Sequence, residues 1–142
     1  MSCVRCWSLI HDPAANSLRP AAVLAFPVTR SDFSAWLAAR SPKPPPALAD
    51  RLAQQVVAAA DGAFAGGSMA VVAGRLGIAT LHATLERQAA PPVASGAAGA
   101  GGDRAMSLLA ADAFVTYAFE AAALEGGDVS ELARRLLAET TS

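Results

Sequence analysis

The stretch that most limits how this chain can fold is RAMSLLAADAFVTYAFEAAAL, residues 104–124, the longest run of strong helix formers and apolar on most of its circumference. Asp112, Thr116 and Glu120 recur every four residues and so share one stripe of a helix, while Leu108, Leu109, Phe114, Val115, Tyr117, Phe119 and Leu124 cover the rest. A helix this apolar belongs at the centre of a bundle. Residues 106–124 approach the roughly 20 residues of a membrane span. However, Asp112 near their middle would cost about 2.5–3.5 kcal/mol on insertion, and Glu120 adds to that, so a membrane location is not expected.

At 142 residues the chain is expected to form one domain that needs neither disulfides nor metal to be stable. Its apolar fraction of 54% comes largely from alanine and only 6% of residues are aromatic, which favours close-packed helices over strands. The expected fold is therefore all-α: a small bundle of four to five helices with a central apolar helix and a C-terminal antiparallel helical hairpin. A formal charge of −1, from ten arginines, the single Lys43 and twelve acidic residues, gives no strongly basic field for nucleic acid and no acidic tail. Two cysteines, Cys3 and Cys6, are too few for a secreted disulfide scaffold. The apolar run 6–10 is short and is stopped by His11, Asp12 and Pro13, unlike a signal peptide; a cytoplasmic location is expected.

Residues 1–30 read as a poorly ordered or extended N-terminal segment, and residues 31–142 as the helical domain. Within the first part, residues 21–28, AAVLAFPV, form a short apolar run in which Pro27 rules out a central strand; a hydrophobic strap lying across the bundle is expected. Ser31 is the expected N-cap of a first helix carrying Phe33, Trp36, Leu37 and Arg40. The following SPKPPP, residues 41–46, cannot continue it and should form a stiff polyproline-type linker, with the shape of a ligand for an aromatic-lined groove. Pro46 suits a first helical position, and Leu48, Leu52 and Val56 then mark an amphipathic helix to about residue 60. A third helix is expected from near Ser68 to about Gln88, with Gly74 or Gly77 marking a bend, a turn or a close helix contact. Residues 90–102 are small and of low complexity, and read as a flexible internal loop. Asp103 is the expected cap of the central helix and Gly126-Gly127 its end. Asp128 with Glu131 forms a capping box for a last helix with Val129, Leu132, Leu136 and Leu137 on one side.

Few residues suggest chemistry. Cys3 and Cys6 have the spacing of half a zinc site, but two further ligands would be needed and only His11 and His82 are available as histidines; no metal site is assigned. Asp112 and Glu120 lie two turns apart, about 12 Å along a helix, too far to share a proton or one metal. No phosphate-binding glycine loop, nucleophile elbow or His-x-x-x-His occurs, so no catalytic or cofactor-binding residue is assigned and the chain is not read as an enzyme.

Ala73, Leu76, Gly77 and Ile78, followed by Thr80-Leu81 and Glu86-Arg87, resemble the helix-turn-helix of bacterial transcription regulators. That resemblance implies DNA binding through residues 68–88, with His82, Thr84 and Arg87 on the recognition helix and an affinity dependent on Arg75 and Arg87. The match departs from the family where only Ala79 separates Ile78 from Thr80. Leu108 to Ala113 and Ala118 to Glu120 are similar to one helix of the isoprenyl diphosphate synthases, but that family's aspartate-rich magnesium motifs are absent and its activity is not expected. The function expected is a non-catalytic module that self-associates as a homodimer or binds a protein partner, with helix-turn-helix-like DNA binding as the alternative.

Overall fold

A computed structural model describes residues 27–65, 67–89 and 97–140. It contains five α-helices, α1 (Arg30–Ala38), α2 (Pro46–Ala58), α3 (Met69–Ala89), α4 (Ala97–Leu124) and α5 (Val129–Thr140), with a single 3-10 turn at Asp61–Phe64, and no strand among the described residues. The architecture is all-α, as expected. α4 is the central helix and packs against α3, α2 and α5.

What brings α3 and α4 together is smallness. The buried stripe of α4 is Ser107, Ala110, Ala111, Phe114, Ala118, Ala121 and Ala122, an alternation of three and four residues that keeps one face inward. Of the large apolar side chains expected to cover this helix, Phe114 alone is in that stripe: Leu108, Leu109 and Leu124 are exposed. α3 meets it with Ala70, Ala73, Gly77, Thr80 and Thr84, all buried. Gly77 sits so close that a Cβ there would lie 3.0 Å from the Ala111 carbonyl oxygen and 2.8 Å from Val115 Cγ2. The two helices run antiparallel, since Gly77 faces Ala111 and Val115 while Arg87 reaches back to Asp103.

Both glycines of α3 are close-contact sites, and neither bends the helix out of its continuous run from Met69 to Ala89. A Cβ on Gly74 would meet Leu136 of α5 at 2.5 Å. α5 follows α4 through a tight turn in which Gly126 has φ +68°, the left-handed conformation glycine adopts without penalty, and Gly127 N–H donates to the Ala122 carbonyl at 2.8 Å. Asp128 then caps α5, its Oδ1 accepting from the amide of Ser130 at 2.8 Å. The helix returns along α3, with Leu136 on Gly74 and Glu139 on Arg75.

An aromatic cluster closes the other side. Phe33 of α1, fully buried, lies 5.2 Å from Trp36, 6.2 Å from Phe64 and 6.3 Å from Phe114 between ring centroids, and Trp36 stands edge-on to Tyr117 at 6.4 Å. Such pairs add about 0.5–1.5 kcal/mol beyond the area they bury.

Several boundaries differ from the sequence reading, each for a physical reason. The cap of α1 is Thr29, not Ser31: its hydroxyl accepts from the Asp32 amide at 3.1 Å while its own amide donates to Asp32 Oδ2 at 3.0 Å. Residues 97–102, expected in a loop, form the first turns of α4. Ala97, Ala98 and Ala100 favour the helix, and Asp103 on its second turn is pinned by Arg51 of α2 and Arg87 of α3. Asp103 is thus a tie between helices rather than a cap. Residues 90–96 of the expected loop, and residues 1–26 with Cys3, Cys6 and His11, lie outside the described residues.

Candidate functional site

Two apolar surfaces and a set of inward-turned arginines are the features of the described residues that could serve a function. The first surface belongs to the antiparallel pair α3 and α4. Because their seam is made of small residues, the side chains flanking it are pressed outward side by side. Ile78 and Leu81 of α3 and Leu108 and Val115 of α4 surround a shallow hollow of about 240 Å³ floored by Gly77 and Ala111. Leu85, one turn further along α3, extends the strip. Leu81, Leu85 and Leu108 are 38%, 49% and 40% exposed, and Asp112 is the one charged residue lining the hollow. α5 covers α3 at Gly74 and stops at Thr140, so this half of the pair has no described helix over it.

The second surface is a cavity of about 520 Å³ between α1, the proline-rich linker and α2. Leu37, Pro44, Pro46, Ala49, Ala53 and Val57 give it apolar walls, with Lys43 and Asp50 as its charged groups. Pro44 and Pro46, the residues of the expected polyproline linker, therefore line a cavity of this same chain.

The arginines are built into the fold. Arg30 Nη1 donates to the carbonyls of Val56, at 2.9 Å, and Val57, while Nη2 donates to the Ala59 carbonyl at 2.8 Å and to Asp61 Oδ1 at 2.7 Å. These are the carbonyls that the end of α2 leaves without intrahelical donors, and α2 has no basic residue of its own in its last turn. The same guanidinium lies 5.0 Å from the Phe64 ring centre. Arg40, whose side chain is only 13% exposed, is held between Trp36, at 4.8 Å, and Tyr117, at 5.0 Å, and pairs with Glu120 of α4. Neither role is legible from one stretch of sequence, because the hydrogen-bonding partners lie 26 to 80 residues away.

The groups singled out in the sequence are dispersed. Asp112, Thr116 and Glu120 share the exposed side of α4 as their spacing requires, but Glu120 pairs with Arg40 while Asp112 faces the α3/α4 hollow. His82 is exposed, and no group of three or more metal-ligating side chains occurs among the described residues. Residues 68–88 contain no turn at Leu76-Gly77-Ile78: from Met69 onward they belong to one uninterrupted helix whose Leu76, Gly77, Thr80 and Thr84 are buried. Arg75 donates to both carboxylate oxygens of Glu139, at 2.9 and 3.0 Å, and to the Ala65 carbonyl at 2.7 Å. Arg87 donates to the Ala83 carbonyl at 2.9 Å and lies 3.7 Å from Asp103. Both cations on which DNA binding would depend are thus engaged within the chain.

These bonds shift two titrations in opposite directions. Hydrogen bonding to Glu139 raises the Arg75 guanidinium above its ordinary value, and the same bonds hold the Glu139 carboxyl below its own against the opposing effect of burial. Asp32 is lowered in the same way by its bonds from Thr29. Compared with protein-family models, with curated proteins and with solved structures, the chain matches none of them.

Proposed function

We propose that the protein is a non-catalytic helical module that self-associates, with the α3/α4 face as its contact surface and a second copy of the chain as its partner. One observation supports this above the others: Ile78, Leu81, Leu85, Leu108 and Val115 form an apolar strip across two helices, with a hollow between them and no described helix on top. Contiguous exposed apolar surface of this kind marks association sites in soluble proteins. The surface is also suited to its own copy. A pair of antiparallel helices related to an identical pair by a two-fold axis forms four helices around one core, so the leucines of one hairpin enter the hollow of the other. The cytoplasmic location expected from the sequence is compatible with such an assembly.

Light scattering behind size exclusion, over a range of concentrations on reduced, chelator-treated protein, tests the reading. The chain should elute as a dimer, and Leu85→Glu or Leu108→Glu should give a monomer with an unchanged far-UV circular dichroism spectrum. A monomer at every concentration for the unaltered chain overturns it.

A further inference from the structure

We propose that the hollow where Arg87 of α3 meets Asp103 and Arg104 of α4 is a binding site for a phosphate dianion. Guanidinium groups converge there from three helices. Arg51 of α2 and Arg87 both pair with Asp103, and Arg104 lines the hollow beside Arg87 and Thr84. One carboxylate thus stands against three cations. Glu86, although next to Arg87 in the sequence, is not among the residues lining the hollow, and residues 90–96, which join α3 to α4, carry no charge.

Tying α4 to its neighbours uses only part of this charge. Arg51 donates directly to Asp103, and that bond joins α2 to α4. Arg87 is held at the wall of the hollow by its bonds to the Ala83 carbonyl and, at 3.3 Å, to the buried Thr84 hydroxyl. Its Nη1 lies 3.7 Å from Asp103, beyond hydrogen-bonding distance, so that nitrogen keeps its donors. Arg104 is exposed and makes no hydrogen bond or ion pair among the described residues. A doubly charged anion balances the excess that Arg87 and Arg104 leave. Guanidinium forks match phosphate oxygens in pairs, and a tetrahedral group offers oxygens to α3 and α4 at once, which a planar carboxylate does not. The hollow of about 160 Å³ has room for the five non-hydrogen atoms of a phosphate at about 30 Å³ for each water-sized centre. The diesters of a nucleic acid backbone carry one charge each, so the site suits free phosphate or a phosphomonoester instead.

Isothermal titration calorimetry of the full chain tests this, with inorganic phosphate and, separately, glycerol 3-phosphate as probes and with ionic strength held constant by sodium chloride. Each should give a saturable isotherm with one site per chain. Arg104→Gln alters an exposed side chain that has no partner to lose, and should weaken binding at least about tenfold, the loss expected for one charge-assisted hydrogen bond. Lys43→Gln removes an equal charge from the cavity between α1 and α2, and should leave the affinity within about twofold, the effect of a distant, screened cation. Tighter binding of the monoester identifies an organic phosphate as the occupant, and tighter binding of inorganic phosphate identifies the free ion; both uphold the site. No saturable binding of either probe, an affinity that Arg104→Gln leaves unchanged, or an equal loss in the two variants overturns the proposal.

Discussion

A methyl group added at Gly77 would meet backbone, the Ala111 carbonyl at 3.0 Å and the Val115 amide nitrogen at 3.2 Å, whereas one added at Gly74 would meet only the end of the Leu136 side chain. Backbone in a packed helix pair cannot step aside, but a leucine can rotate. Gly77→Ala should therefore cost about 1–3 kcal/mol in urea unfolding despite alanine's better helix propensity. Gly74→Ala should stay within about 1 kcal/mol of the parent, with the propensity gain offsetting the displaced leucine. The interrupted pattern of the sequence left a bend, a turn or a close contact open at one or other glycine; their neighbours in the fold make both contact points and distinguish them. Ser107 offers the opposite case. It is fully buried in the α3/α4 seam and its hydroxyl has no hydrogen-bond partner among the described residues, so Ser107→Ala should stabilise the protein by about 1 kcal/mol, read as a raised urea midpoint.

Among the elements, α2 shows how a helix end is finished by a residue from elsewhere. The planar fork of Arg30 reaches three carbonyls and a carboxylate at once, which an ammonium cannot reproduce. Arg30→Ala should lower stability by about 2 kcal/mol in chemical denaturation, and Arg30→Lys should recover less than half of that loss. The spacing of apolar residues makes α2, α3 and α5 legible, and the glycines and Asp128 locate the turn before α5. Arg30 is not legible because its partners are brought to it only by the tertiary fold. The cap of α1 was misread as Ser31, although Thr29 and Asp32 stand at capping-box spacing beside it. The inward face of α4 was not legible: alanine is a weak marker of burial, and of the large apolar residues along the helix Phe114 faces inward while Leu108, Leu109 and Leu124 draw attention to exposed sides.

At the scale of the whole molecule, α5 is held over α3 by Leu132 and Leu136 beneath and by the Arg75–Glu139 bond at its far end. Because Glu139 is held below its ordinary value in the folded chain, its contribution is complete above about pH 4.3, the value of a free glutamate, and is lost as pH falls through the lowered folded value. Asp32 adds in the same direction. Urea midpoints should therefore fall on acidification below that point. Glu139→Gln should be less stable than the parent by about 0.5–1 kcal/mol near neutrality and indistinguishable from it once the carboxyl is protonated. The overall class was legible because an alanine-rich, aromatic-poor chain has few alternatives to packed helices. The two apolar surfaces were not, since each is assembled from segments that carry no motif of their own.

The close approach at Gly77 also acts as a latch on alignment. If α4 slid by one turn, the Ala111 carbonyl would leave the only notch on that face of α3 without a side chain and run into the Cβ of Ala73 or Leu81 instead. The register of the hairpin is thus stored in one missing methyl group rather than in the residues that join its helices. Lengthening or cutting the join between them should leave the two helices able to find the same alignment.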